Sequence, residues 1–393
     1  MIRFVFFICL FINVQGFCQT VIENKSIVGK TIGVQPYLEY GLGDDRLGGA
    51  KMTYLDTGIV MQVVDSAIGR YKVQLSKSRS AWLPRSNFRN DASLQIPPYY
   101  LTGSFLITGD DKYDYASISL DEKLPYTSIQ QINPSRIVVD IFGVTGNTNW
   151  VTQRFSAKEI KNVYHEQVED DVFRVIIELR HNQHWGYSIS YQGNKLVIKV
   201  RRQPTDLSLE NMKIAIDAGH GGNNPGASGI TTRIAEKDYT LLIAKQIEKA
   251  LMEKEAIVFM TRRTDNSYSM LEREERIREE NCDFLISVHL NSSVRPEVKG
   301  VSTYYRYIGF RPLTYYIQES MLKIEGLEDF GNIGSFNFAL SGPTDIPNCL
   351  LEVAFLSNKE DEKLILNPEF HKKVASQVVE GIKEWLKSCK EEN

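Results

Sequence analysis

Four polar side chains in ordered, strand-like surroundings could carry chemistry in this chain. They are His220 in Ile216-Asp217-Ala218-Gly219-His220-Gly221-Gly222, Glu236 in Ala235-Glu236-Lys237-Asp238, His289 in Ile286-Ser287-Val288-His289-Leu290-Asn291, and Glu352 in Leu350-Leu351-Glu352-Val353-Ala354. Two histidines and one carboxylate make a zinc site with an open fourth position. A second carboxylate beside it can act as general base, and the set then suffices for metal-assisted hydrolysis of an amide. Spacing alone does not prove zinc, because no short-range His-Glu-x-x-His pair is present. Each residue also has a plainer role: a histidine after glycine is often a turn residue, and a glutamate at a helix start is usually a cap. Glu352 resists the plain account. An unpaired charge among Leu350, Leu351, Val353 and Ala354 is costly, and a metal or a paired cation would explain it.

The elements that must position these residues follow from hydrophobic spacing. Lys213-Ile214-Ala215-Ile216-Asp217, Ala256-Ile257-Val258-Phe259-Met260 and Phe284-Leu285-Ile286-Ser287-Val288 are strand-like runs, and further strands are expected at residues 301–305 and 350–354. Residues 235–253 form a helix with Tyr239, Ile243, Ile247 and Leu251 on one face, and residues 270–280 form a charged helix. A last helix opens at Asn367-Pro368, with Phe370, Val374, Val378, Ile382 and Trp385 facing a core. Strand and helix alternate, so residues 213–389 predict an α/β domain with a largely parallel sheet, its site beyond the carboxyl ends of the strands. Residues 313–324 predict one core-facing helix, and residues 326–347, rich in glycine, asparagine and proline, predict a loop.

The rest of the chain reads differently. Residues 27–90 and 98–202 are β-rich, and residues 203–212 are a polar linker containing Pro204. His165, His181 and His184 lie in the second β-rich stretch, where no third ligand is evident, so they are taken as surface or turn histidines. Hydrophobic content is 42%, charged content 24% and net charge −3, an ordinary globular balance with no basic excess to hold nucleic acid. Met1-Ile2-Arg3 followed by an apolar run over residues 4–14 is a secretory signal, assigned to residues 1–18, and its apolar core is too short to span a bilayer. The mature protein is expected outside the cytoplasm, periplasmic or extracellular, with no membrane span. The cleavage point and the lipid state of Cys18 stay open. Cys282, Cys349 and Cys389 remain after processing, an odd number that makes no disulfide framework.

Three resemblances sharpen this picture. Gly49-Ala50-Lys51-Met52-Thr53-Tyr54-Leu55-Asp56-Thr57-Gly58, then Tyr71-Lys72-Val73-Gln74-Leu75 and Ala81-Trp82-Leu83-Pro84, resembles bacterial SH3-like barrels, modules that often hold cell-wall peptides. Ser135-Arg136-Ile137-Val138-Val139-Asp140-Ile141-Phe142, Phe173-Arg174-Val175-Ile176-Ile177-Glu178-Leu179 and Lys195-Leu196-Val197-Ile198-Lys199-Val200 resemble the AMIN domain, a β-sandwich that often precedes cell-wall amidases. Residues 214–386 resemble the zinc-dependent N-acetylmuramoyl-L-alanine amidases of the amidase-3 type. Asp217-Ala218-Gly219-His220-Gly221-Gly222, Pro225-Gly226-Ala227, Glu236-Lys237-Asp238, Met260-Thr261-Arg262, Ser287-Val288-His289, Asp345-Ile346-Pro347 and the run from Glu352 to Asn358 occur in family order. By that resemblance His220, Glu236 and His289 hold Zn2+, Glu352 is the catalytic glutamate, and the substrate is peptidoglycan. Arg262 is taken as a structural ion-pair residue. Ile230-Thr231-Thr232-Arg233 and Arg278 depart from the family pattern.

The resemblance implies a secreted hydrolase that cuts between N-acetylmuramic acid and L-alanine, with two all-β domains for wall targeting. A zinc peptidase cutting within the stem peptide, and a wall-binding protein without activity, remain alternatives. An envelope activator or targeting partner is left open. Some AMIN-bearing amidases cover their own site with a long helical insertion; here the corresponding gap holds one helix, residues 313–324, whose apolar stripe faces the core, so the mature protein is expected to be active alone.

Overall fold

The computed structural model describes residues 27–43 and 49–391. The signal segment at residues 1–18 lies outside these. No helix among the described residues is long and apolar enough to cross a membrane.

The carboxyl-terminal half is an α/β domain on one six-stranded sheet. Its central strands, Lys213–Ala218, Phe284–Asn291 and Asn348–Phe355, are buried along nearly their whole length. That two-sided burial accounts for their near-continuous apolar sequence. Ile257–Met260, Lys213–Ala218, Phe284–Asn291 and Asn348–Phe355 run parallel in that spatial order. The sheet is therefore largely parallel, with one reversal: Val301–Tyr304 pairs antiparallel with Asn348–Phe355. The loop expected over residues 326–347 is only partly a loop. Asp329–Ile333 adds an edge strand parallel to Val301–Tyr304. Its sequence, Asp-Phe-Gly-Asn-Ile, has turn-forming residues where a strand alternates, and pairing to an existing edge overrides that weak local preference.

Helices α1 (Glu236–Met252), α3 (Arg311–Met321) and α5 (Pro368–Glu391) cover one face of the sheet. They bury Ile243, Ile247 and Leu251, then Leu313, Ile317 and Met321, then Phe370, Val374, Val378, Ile382 and Trp385. These stripes follow the helical period read from sequence. The opposite face carries α2 (Met270–Glu279) and a much smaller cluster of Ala215, Ile277, Cys282, Leu285 and Leu340. Short α4 (Lys359–Ile365) precedes α5. Cys282, Cys349 and Cys389 are buried and form no disulfide among the described residues.

Residues 27–90 build a seven-stranded antiparallel sheet. Gly58 and Gly69 take φ of 83° and 70° at the turns, a region costly for residues bearing a Cβ. Residues 98–202 pair Tyr126–Ile132, Ser135–Phe142, Val172–Leu179 and Ile160–Glu169 in one sheet, and stack it on a second sheet built around Tyr100–Gly109, Tyr113–Leu120 and Lys195–Arg201. The buried residues of both β units form one continuous core, from Leu38 and Val73 to Ile141 and Val175.

Two expectations for this region are corrected. His184 lies in the turn after Val172–Leu179, one of the two places expected for it, but it is 1% exposed rather than on the surface. Its ring lies against Gly309 of the α/β domain and within 2.9 Å of the Gln131 carbonyl oxygen. His181 is half-buried and pairs with Glu159 at 2.6 Å. Neither reaches a metal-ligand cluster among the described residues. The polar stretch 203–212 is also no free linker, because Leu207 and Met212 are buried in the core of the α/β domain.

Candidate metal centre

Each of the three expected ligands arrives on a different element. His220 follows Lys213–Ala218 with φ of 61°, a left-handed conformation uncommon for a residue with a side chain. Gly221 and Gly222 continue the turn at φ of 128° and 55°. Glu236 opens α1, and His289 lies near the carboxyl end of Phe284–Asn291. The ligand atoms of these three residues all lie within 4.8 Å of one another. Glu236 bridges the histidines: Oε2 is 3.0 Å from His220 Nε2, and Oε1 is 3.0 Å from His289 Nδ1. The two rings meet edge to face with centroids 4.9 Å apart.

The surroundings fix these atoms. Glu236 Oε1 accepts from the Leu290 backbone N–H at 3.0 Å and Oε2 from that of Ala227 at 2.8 Å. Its carboxylate thus turns away from the start of its own helix, which corrects the expectation of a capping glutamate. The gain is charge-assisted contact with both imidazoles. Asn224 Oδ1 lies 3.1 Å from His220 Nδ1, so it can accept that N–H and leave Nε2 free to ligate. Gly219 is required by close approach, since a Cβ there would sit 2.5 Å from His289 Cε1.

Beneath the site is a polar network that the sequence reading did not single out. Asp217, 1% exposed, accepts from Arg273 Nη1 at 2.5 Å, Thr261 Oγ1 at 2.6 Å and Ser287 Oγ at 2.7 Å. Burial pushes the Asp217 carboxyl up, but Arg273 and the two hydroxyls outweigh it and hold it below its ordinary value. Arg273 also donates to the carbonyls of Ala218, at 2.9 Å, and of His220. Arg262 is structural as expected, though not through an ion pair. It donates to the carbonyl oxygens of Ala218 and Gly219 at 2.9 Å each and of Lys237 at 2.7 Å. Asp217 was open to detection by the argument used for Glu352, because it too is a carboxylate at the end of an apolar strand.

Glu352 is half-buried rather than buried and stands in register with His289 on the neighbouring strand. Its charge acts on both His289 and Tyr304. The four expected residues therefore converge at one end of the sheet, where parallel strands leave their carboxyl termini.

The donor set suits a borderline metal ion. Burial alone pushes the Glu236 carboxyl up, yet its hydrogen bonds to His220 and His289 hold it well below the usual carboxylate range. A buried carboxylate between two imidazoles calls for a positive charge, which a proton or a divalent cation supplies.

Comparison with known proteins finds two domain families in this chain. Residues 214–384 match the model of the N-acetylmuramoyl-L-alanine amidases, and residues 106–200 match the AMIN domain. A probable cell wall amidase, LytH, of Staphylococcus epidermidis is 33% identical over 182 residues, covering 46% of this chain and 60% of that protein. The LytH of Staphylococcus saprophyticus is 27% identical over 318 residues, 79% of this chain and 99% of that protein. Among solved structures, the catalytic domain of CwlV, an N-acetylmuramoyl-L-alanine amidase from Bacillus (Paenibacillus) polymyxa, aligns at 30% identity with a TM-score of 0.43, covering 45% of this chain and 98% of that one. Residues 214–384 belong to the N-acetylmuramoyl-L-alanine amidase family, and an AMIN domain precedes them in the same chain.

Proposed function

We propose that this protein hydrolyses the amide between N-acetylmuramic acid and the L-alanine of the peptidoglycan stem peptide. His220, Glu236 and His289 would hold Zn2+, and Glu352 would handle the proton. The observation that carries the proposal is the convergence of those three ligand atoms within 4.8 Å, beside Glu352, inside the matched domain. A bound zinc ion supplies Lewis acidity toward water and toward the scissile carbonyl. Glu352 takes the proton of the attacking water and returns it to the alanine nitrogen as the carbon–nitrogen bond breaks. Water is consumed, and the products are a free lactyl carboxylate and a peptide with a new amino terminus. Glu236 contributes the negative charge that balances the cation, and Asn224 keeps His220 in the ligating tautomer.

The β units suit a wall-bound enzyme, and we place its work outside the cytoplasm, with residues 27–90 as an SH3-like unit. No helical insertion covers the site among the described residues. Between Val301–Tyr304 and Asn348–Phe355 the only α-helix described is α3, whose Leu313, Ile317 and Met321 are buried in the core. The enzyme should therefore act without a partner.

The test is digestion of purified peptidoglycan by the mature protein alone, with and without chelator, read by mass spectrometry. Peptides beginning with free L-alanine, lost on chelation and restored by zinc, are the expected products. Cleavage inside the stem peptide, or undiminished hydrolysis after chelation, would overturn the reading. Silence until a second protein is added would overturn the self-sufficient form of it.

A further inference from the structure

Both β units grip the segment of the amidase domain that also touches the metal centre, residues 336–346. At one end the Phe338 ring meets the His289 imidazole edge-on, with centroids 5.5 Å apart and planes at 82°. Phe336 packs on Tyr304 at 4.6 Å, on the strand that pairs with the one bearing Glu352. At the other end the AMIN domain holds the chain. The Tyr187 backbone N–H donates to the Thr344 carbonyl at 2.8 Å, and Thr344 Oγ1 donates back to the Tyr187 carbonyl at 2.6 Å. Gly186, at φ of 113°, lies so near the Asp345 carbonyl that any Cβ would collide with it. The amino-terminal unit adds a contact from the Gly49 carbonyl to Asn337 Nδ2 at 3.4 Å, and the Tyr54 hydroxyl rests against Gly342.

Within the amidase domain the segment is held by scattered polar contacts: Tyr307 Oη donates to the Gly342 carbonyl at 2.6 Å, Arg278 pairs with Asp345 at 3.0 Å, and the Phe336 N–H donates to the Tyr305 carbonyl at 3.1 Å. It packs on the smaller of the two core clusters, where only Ala215, Ile277, Cys282 and Leu285 join its own Leu340 as buried apolar residues. So few side chains give limited apolar burial to order a loop, and loops pay conformational entropy for each residue ordered. The docked β units add to these contacts at Thr344, Asp345, Asn337 and Gly342.

We propose that the AMIN domain is a clamp on the metal centre as well as a targeting module. Through Gly186, Tyr187 and Thr344 it holds residues 338–346 in place, so that Phe338 fixes the orientation of the His289 ring. Phe338 is then a positioning residue for His289. The proposal deepens the reading of His289 as a ligand and rests on it. It also ties the geometry of the metal site to the docking of the domain that meets the wall.

The experiment is a double-mutant cycle on the full chain, read as zinc affinity by competition with a chromogenic chelator. The variants are Phe338→Ala, Gly186→Ala and the pair. Each single change should weaken zinc binding by roughly 3- to 10-fold, a size expected of coupling through packed elements. The pair should be no worse than the stronger single variant, because both break one chain of contacts. Phe338→Tyr, which keeps the ring, should restore affinity. Additive losses, or a Gly186→Ala protein with unchanged affinity, would overturn the proposal. Should Gly186→Ala fail to fold, Thr344→Ala takes its place in the cycle under the same criteria. A wild-type chain that binds no zinc would instead overturn the proposed function, so the two failures are distinguishable.

Discussion

At the residue scale, Glu236 closes the site, since its two oxygens reach both histidines and two backbone N–H groups. The convergence of His220, His289 and Glu352 was open to reading because each interrupts an apolar or glycine-rich context that does not favour it, whereas Glu236, in Ala-Glu-Lys-Asp, stands out only through the family resemblance. What supports them was less legible. Arg273 sits in a charged helix, Met-Leu-Glu-Arg-Glu-Glu-Arg, where nothing local separates a buried arginine from exposed ones. The fold alone selects it, aiming one of these cations inward at Asp217 and at the His220 carbonyl. Two predictions belong here. Glu352→Gln should keep bound zinc and lower turnover by about 10²–10⁴-fold, the usual worth of general acid–base catalysis. Zinc loss in step with activity would make Glu352 a ligand instead. Arg273→Lys keeps a charge facing Asp217 but cannot span the carbonyls of Ala218 and His220 as the guanidinium does. Zinc affinity should fall by about 10- to 100-fold, as for other groups that orient ligands. An unchanged chelator titration would show that His220 holds its strained backbone without help.

At the element scale, helices and central strands were readable because their burial is periodic or continuous. Edges and inter-unit turns were not, because partners distant in sequence decide them. Asp329–Ile333 is a strand only because Val301–Tyr304 offers a free edge. The turn after Val172–Leu179 shows the same limit: Gln183, His184 and Trp185 are buried only because the amidase domain packs on them. Gln183 Nε2 then donates to the Gly309 carbonyl at 2.9 Å, and Gln183 Oε1 accepts from Trp385 Nε1 at 2.9 Å. His181 gives this turn a pH dependence. The Glu159 carboxylate at 2.6 Å raises the His181 pKa above 6.5, against the opposing effect of partial burial. A raised folded-state value means the pair stabilises fully below the unfolded value of 6.5 and loses that contribution as pH rises through the folded value. The effect should be modest, because the His181 side chain is 29% exposed and water screens the pair. Thermal unfolding should therefore show wild type more stable than His181→Gln at a pH of about 6, with the gap closing toward about 8.5, above the ordinary titration range of histidine. A gap that widens with pH would contradict the assignment.

At the scale of the whole molecule, the boundary between the AMIN and amidase domains lies elsewhere than composition suggested. Residues 203–212 carry the polar residues and proline of a linker, yet the chain runs along the amidase domain and contributes to its core. Leu207 is 5% exposed and Met212 fully buried, both in the cluster of Ile214, Ile247 and Trp385. Trp185 of the AMIN domain caps that cluster, its ring 5.2 Å from that of Trp385, and its Nε1 donates to Gln203 Oε1 at 3.1 Å. A catalytic fragment cut at Asn211 would thus lose Leu207 from its core as well as the cover over Trp385. A fragment that starts at Thr205 loses the same cover but keeps Leu207. Both lack the AMIN clamp, so comparing them isolates the linker. Burying one leucine is worth about 1.5–3 kcal/mol, and the longer fragment should be more stable by that amount in urea unfolding. Equal midpoints would mean that residues 205–210 dock only when the β units are present. In that case the linker would be ordered by the same interface that holds residues 336–346, and no cut between the two domains would leave the amidase core as it is in the intact chain.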